Sequence, residues 1–170
     1  VHGRGEIDKN NTLWVSGGSS AYDKKKWIEL GGFDESFNPF YWEDIDLSYR
    51  AQKRGCVVLF EPKAIVHHEH EKGAIKSKFS EKQVKTISYR NQFIFVWKNI
   101  TDVDLFLQHL LNLPLHLLKA LMRGDTPFII GLVKALAKLP ELYYYRATVC
   151  GSNTKRISDK EILAPYLNSN

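Results

Sequence analysis

The densest group of side chains able to do chemistry is Phe40-Tyr41-Trp42-Glu43-Asp44-Ile45-Asp46-Leu47-Ser48-Tyr49-Arg50. Aromatic rings beside a carboxylate form a partly desolvated wall, and desolvation raises a carboxylate's basicity enough to let it take a hydroxyl proton. Asp44 and Asp46 stand about 200° apart around a helix, so at most one of them faces a given cleft. A structural role explains the same residues. Acids at a helix start, with Arg50, Lys53 and Arg54 near its end, complement the helix dipole, and Asp46 sits four residues before Arg50 for an ion pair.

Other candidates are sparser. Gly17-Gly18-Ser19-Ser20 offers bare amides that can cradle an anion. It lacks the Lys-Ser/Thr ending of a phosphate loop and reads better as a close turn lining a cleft. Lys24-Lys25-Lys26 is a solvated helix face or a contact for a diphosphate. His67-His68-Glu69-His70 is an exposed loop or part of a metal site; a standalone zinc site is the weakest option, because no cysteine or fourth compact ligand joins it. Cys56 and Cys150 have no C-x-x-C spacing, which argues against structural zinc and a disulfide framework and makes a reducing compartment the default.

The elements that must carry these residues divide near residue 80. Up to about residue 75 the pattern is mixed. Thr12 to Val15, Val57 to Phe60 and Ala64 to Val66 read as short strands between Gly and Pro punctuation. Asp23 is placed to cap a helix over 24–30 that Gly31 or Gly32 ends, and a second helix runs from about Glu43 to Arg54 and stops at Gly55. From Ser80 onward helical periodicity dominates. Ser80 and Gln83 have capping-box spacing, as do Thr101 with Asp104 and Ser158 with Glu161. Asp104, Gln108, Asn112, His116, Lys119 and Arg123 trace one polar stripe through Pro114, which is expected to kink the helix without ending it before Gly124. Thr126-Pro127 caps a helix over 128–139, and Pro140 starts a further segment.

With 170 residues, 24 Lys+Arg against 19 Asp+Glu (24 − 19 = +5), 44% apolar and 25% charged residues, the chain is a folded globular protein rather than a disordered or disulfide-stapled one. The basic residues are scattered, so no nucleic-acid partner is expected. The N-terminus carries neither Met nor an apolar signal run, and the chain is expected to begin mid-protein. The narrow stripes of the C-terminal helices leave much apolar surface to be covered by a missing part, a homodimer or a membrane interface. The uncharged stretch from Leu105 to Leu118 is too short to cross a bilayer.

Gly17-Gly18, Lys26-Trp27, Leu30-Gly31-Gly32-Phe33-Asp34-Glu35, the Phe40 to Leu47 run with Arg50 and Gly55, and then Pro62, Ala64, Val66 and His68 follow one another in an order and at gaps that resemble the second half of the family 2 inverting glycosyltransferases, over roughly residues 12 to 75. The resemblance implies an α/β fold class. Residues 1–78 would be the C-terminal, acceptor-side part of a GT-A nucleotide-sugar transferase fold, and 79–170 a helical extension. It implies Asp44 as the catalytic base on the acceptor hydroxyl, with Gly17, Gly18, Trp42 and Glu43 at the acceptor site. Asp46 and Arg50 would anchor the helix, and His68 would help hold a divalent cation, Mg²⁺ or Mn²⁺, on the donor diphosphate. The D-x-D motif of the family's first half is not found: Asp44-Ile45-Asp46 belongs to the acceptor-side helix and Asp102-Val103-Asp104 opens a late one. The implied function is transfer of a sugar from a nucleotide-sugar donor to a glycan or lipid-linked acceptor in surface polysaccharide synthesis. The protein would be cytoplasmic, peripheral at the inner face of the plasma membrane, and this chain would be inactive without the donor half. The alternative is a non-catalytic acceptor-binding or subunit-interaction module.

Overall fold

A computed structural model describes residues 11–66, 74–150 and 156–167. Its elements in chain order are α1 (Lys24–Leu30), a 3₁₀ turn (Glu35–Phe37), α2 (Glu43–Lys53), α3 (Ala74–Lys78), α4 (Glu81–Asn99), α5 (Val103–Arg123), α6 (Thr126–Leu136), α7 (Leu139–Tyr145), which runs on through a π-helical turn, and α8 (Asp159–Leu167). Local chemistry sets several of their ends. The Asp23 carboxylate accepts from the Lys26 amide at 3.0 Å to open α1, and Gly31 closes it in the left-handed conformation at φ 79°. Ser80 and Gln83 form the reciprocal capping box of α4, and Gly124 ends α5 at φ 65°.

The α/β expectation is overturned. Among the described residues there is no strand or sheet, and the architecture is all helical. The three segments read as strands are irregular, and what pairing exists is one bridge between Asn11 and Leu59, beside a Thr12 amide to Val58 carbonyl bond of 3.1 Å. Two short extended segments alone bury too little to hold a ladder. Val57, Leu59, Ile65 and Val66 all remain exposed, so pairing gains little from burial. The backbone of residues 12–15 is satisfied by α2 instead: the Val15 amide donates to Ser48 Oγ at 3.2 Å, and Gln52 Nε2 donates to the Leu13 carbonyl at 2.7 Å.

Two helix starts differ from the sequence reading, while Ser158 and Glu161 form the capping box read for α8 at 2.9 and 3.2 Å. Thr101 does not cap α5. Its amide and that of Asp102 donate to the Asp159 carboxylate at 2.7 and 2.6 Å, while Asp102 accepts from the Lys160 amide at 3.0 Å. The first turns of α5 and α8 therefore cap each other across 57 and 58 residues of sequence. Asp125, not Thr126, caps α6, whose α-helical bounds end at Leu136. Pro114 lies inside α5, which continues on both sides of it.

α4 is the central element. It buries Phe93, Ile94, Phe95 and Trp97, and the core they form takes in Phe37 and Tyr49 from the first part of the chain and Leu132, Ala135, Leu142 and Ile162 from the last. One hydrophobic core thus spans the sequence division near residue 80. α4 and α6 approach closely because Gly131 faces α4: a Cβ there would stand 2.8 Å from Tyr89 Cβ and 3.0 Å from the Arg90 amide nitrogen.

Buried charge ties the helices together. Asp46, fully buried, accepts from Arg50 Nε at 2.7 Å, Lys98 Nζ at 2.8 Å and Asn99 Nδ2 at 2.8 Å. Lys98 also meets Asp34 at 2.6 Å. Burial pushes the Asp34 carboxyl upward, but the Lys98 charge and the hydrogen bonds from Lys98 and Ser36 outweigh it and hold the group at about 2. The guanidinium of Arg50 donates onward to the Leu30 and Gly32 carbonyls, closing the turn after α1. Replacing Asp46 with Ala should cost about 3–5 kcal/mol, because Lys98 and Arg50 would lose the carboxylate that compensates their burial. Denaturant unfolding monitored by circular dichroism measures this; a loss below about 1 kcal/mol would show that the network is dispensable.

Candidate functional site

The carboxylates of the Glu43-Asp44 pair stand on the first turn of α2, and the approach to that turn is held by α4. Asn91, fully buried, donates from Nδ2 to the carbonyls of Phe37, Phe40 and Tyr41 at 2.7, 2.9 and 2.8 Å. Arg90 bonds the Asn38 carbonyl and, through Nε, Asn91 Oδ1 at 2.9 Å. Between these clamps Tyr41 and Trp42 both adopt left-handed backbone, at φ 70° and 76°. Each such bulky residue costs on the order of 1–3 kcal/mol and persists only where the surroundings enforce it. Here it lets the chain turn sharply into α2, with the Trp42 carbonyl accepting the Asp46 amide at 2.8 Å.

Asp44 turns away from the buried network and toward the Gly17 turn. Its Oδ2 accepts the Gly17 amide at 3.0 Å and its Oδ1 accepts the Ile45 amide at 2.8 Å. The two amides orient the carboxylate and leave its remaining lone pairs for an incoming donor. A Cβ at Gly17 would rest 3.7 Å from Asp44 Cβ and 3.8 Å from the Phe33 ring, in ordinary contact. Gly17 therefore serves through its amide and not through lack of a side chain. Gly18 is exposed beside it.

Next to Asp44 lie polar groups that spacing alone does not single out. Ser20 Oγ, Tyr22 OH and Glu43 Oε2 are shielded from solvent without a formed hydrogen bond. Burial pushes the Tyr22 phenol above its ordinary value. The Ser20 hydroxyl pulls it back without an ordinary bond geometry, and the Asp44 and Glu43 charges push it further up. Burial likewise raises Glu43; its own backbone amide opposes the shift and the Asp44 charge adds to it. Tyr22, Trp27 and Phe33 meet edge to face, with Trp27 centred 4.9 Å from Tyr22 and 4.7 Å from Phe33. An aromatic wall thus stands by the carboxylate, but it comes from residues 22–33. Trp42, expected at the acceptor site, packs its ring on Phe95 at 5.4 Å against the core.

Asp46 and Arg50 are occupied by the network described above and do not reach this surface. His68, the expected metal ligand, and its neighbours His67 and His70 lie outside the described residues. Among the described residues no three His, Cys, Asp or Glu side chains gather as a metal site. Asp102 and Asp104 of the second D-x-D string engage the Lys160 amide and ammonium, at 3.0 and 2.7 Å.

No family model matches the chain, and neither a curated protein nor a solved structure gives a significant match.

A buried carboxylate oxygen without a donor is a cost to the folded state. Glu43 is raised in the folded protein, so its contribution is unfavourable above the ordinary carboxylate range and vanishes as pH falls below the unfolded value. Glu43→Gln should therefore stabilise the chain at pH 7, by about 1 kcal/mol, with a gain that disappears at low pH. Urea unfolding at neutral and acid pH tests this, and destabilisation at pH 7 would mean that Glu43 has an unrecognised partner.

Proposed function

We propose that this chain is the acceptor-binding part of an inverting, family 2-like glycosyltransferase, and that Asp44 is the base that removes the proton from the acceptor hydroxyl. The observation that carries the reading is the orientation of Asp44 by two amides beside a cluster of unsatisfied buried polar atoms, Ser20 Oγ, Tyr22 OH and Glu43 Oε2. A polyhydroxylated acceptor supplies the donors and acceptors that such atoms lack. Proton removal by Asp44 would sharpen the nucleophile as it attacks the anomeric carbon from the face opposite the nucleotide. The reading rests on this local geometry and on the resemblance of the Gly17–Leu47 blocks, not on the architecture of the chain. Nucleotide-sugar binding and the Mg²⁺ or Mn²⁺ that would neutralise the leaving diphosphate are assigned to a partner segment bearing a D-x-D motif.

The chain should therefore show negligible sugar transfer alone. In the enzyme that contains it, Asp44→Asn should keep the fold and lower kcat at least about a hundredfold, whereas Asp46→Asn should act on stability. Turnover across a panel of nucleotide-sugars, read together with thermal melts, decides this; loss of turnover in a fully folded Asp46→Asn protein with an active Asp44→Asn protein would reverse the assignment.

The acceptor is further assigned to a membrane surface. The polar stripe of α5 occupies one edge of the helix and His109, Leu113, Leu117 and Ala120 face inward, while Leu107, Leu110, Leu111, Leu115, Leu118, Leu121 and Met122 stay exposed over an arc of about 140°. The uncharged stretch from Leu105 to Leu118 is too short to span, but the whole of α5, 21 residues from Val103 to Arg123, is by length and composition long and apolar enough to cross a bilayer. Its packing against α6 and its charged stripe favour lying along the surface, with Lys134, Tyr143 and Tyr144 exposed nearby in sequence. Adsorption to anionic vesicles in a flotation assay should weaken with salt and be lost on Leu107→Glu with Leu118→Glu. A stable dimer that buries these leucines, without flotation, would identify the face as a protein interface.

A further inference from the structure

On the side of α5 away from the exposed leucines, a groove of about 350 Å³ runs between α4 and α5 and reaches the start of α6. Phe93, Val96, Leu113 and Phe128 give it an apolar floor, and Gln92, which is exposed, stands on its rim. Along one wall come His116, Lys119 and Arg123, at spacings of three and four residues that stack them on one helix face. All three are exposed, and none forms an ion pair or hydrogen bond with a described residue.

The groove's carboxylate makes no ion pair with them. Asp125 caps α6 through the Phe128 amide at 3.3 Å and accepts the Tyr89 hydroxyl at 3.0 Å. The inner cations of the molecule behave differently: Arg50, Lys53 and Lys98 are each held by a carboxylate within 2.8 Å. Lys119 and Arg123, four residues apart, stack like charges on one face, which is unfavourable unless something anionic lies against them. An apolar floor beside such a wall matches a ligand that is apolar along its length and anionic at one end, in a volume within the usual range for small-molecule sites.

We infer that the α4–α5 groove binds a phosphate-headed lipid chain, with the phosphate against His116, Lys119 and Arg123 and the hydrocarbon over Phe93, Val96, Leu113 and Phe128. The guanidinium of Arg123 supplies a planar donor pair and Lys119 a compact charge, a combination suited to phosphate oxygens. The hydrocarbon releases water from the floor as it enters. This site is separate from Asp44 and does not depend on the glycosyltransferase reading.

Dodecyl phosphate, held below its micelle concentration and titrated into the full chain in a calorimeter, tests the inference. Saturable one-to-one binding is expected, weakened at least about tenfold by Lys119→Gln with Arg123→Gln and abolished by Gln92→Trp, which fills the rim. Leu111→Glu, on α5 about 140° from His116, should leave the affinity unchanged, which separates groove binding from adsorption to the apolar arc. Circular dichroism checks the fold of each variant, and the exposed double charge variant carries the test if Gln92→Trp does not fold. Equal affinity for dodecyl maltoside would overturn the role of the cations, and equal affinity for inorganic phosphate the role of the floor. Absence of binding, or loss of binding in Leu111→Glu, would overturn the site itself.

Discussion

Lys98 enters the interior from α4 and is held there by two carboxylates, Asp34 from the turn after α1 and Asp46 from α2. Burying an ammonium is expensive, and the cost is met only while both carboxylates, Asn99 and the Arg50 fork keep their places. The same contacts determine where three segments sit. Arg50 binds the carbonyls that end α1, Asp46 places the first turn of α2, and Lys98 presses on the rings of Phe37 and Tyr145. An apolar core tolerates several packings, whereas the buried Lys98 charge is compensated only where its carboxylate partners stay within hydrogen-bond reach. The surface around Asp44 inherits its geometry from this interior.

A second carboxylate, Asp159, repeats the arrangement at the other end of α2. It is fully buried, pairs with Lys53 at 2.6 Å, accepts the Tyr49 hydroxyl at 2.5 Å and caps the start of α5. Burial, the hydrogen bond to Asp159 and the charges of Asp159 and Asp102 all raise the Tyr49 phenol, which keeps it a donor across the ordinary pH range. α2 therefore offers Asp46 and Arg50 to one network and Tyr49 and Lys53 to the other, while Glu43 and Asp44 at its start stay outside both. This division of one helix into anchored body and presented tip joins the fold to the proposed chemistry.

α5 is divided differently. One face packs inward through Leu113, Leu117 and Ala120, a polar edge carries His116, Lys119 and Arg123, and the remaining arc of leucines is left bare. Helices that only fill a core hide their apolar residues, and the bare arc of α5 is the feature on which the proposed membrane contact rests. The two proposals made for α5 use its two non-core surfaces separately, the bare arc for a bilayer and the polar edge with its groove for a single anionic chain.

Local sequence determined the helices wherever side chain and backbone meet within four residues: Asp23 before α1, the Ser80–Gln83 box, Gly31, Gly55 and Gly124 at helix ends. It also marked the Glu43-Asp44 pair as a candidate and Asp46 with Arg50 as an ion pair, a contact of 2.7 Å at i and i+4. What it could not determine were features that join distant residues. The strand expectation failed because β-propensity in residues 12–15 and 57–66 says nothing about whether a partner strand is present. Only the tertiary structure directs Val15 and Leu13 to α2, brings Gly17 onto Asp44 and leaves the Tyr22 hydroxyl without a formed bond beside Glu43. It also gives the aromatic wall to Tyr22, Trp27 and Phe33 while drawing Trp42 back to Phe95. Backbone propensities act over one turn, whereas burial of charge and ring packing act across the whole chain. The second kind of force decided which of the legible residues meet.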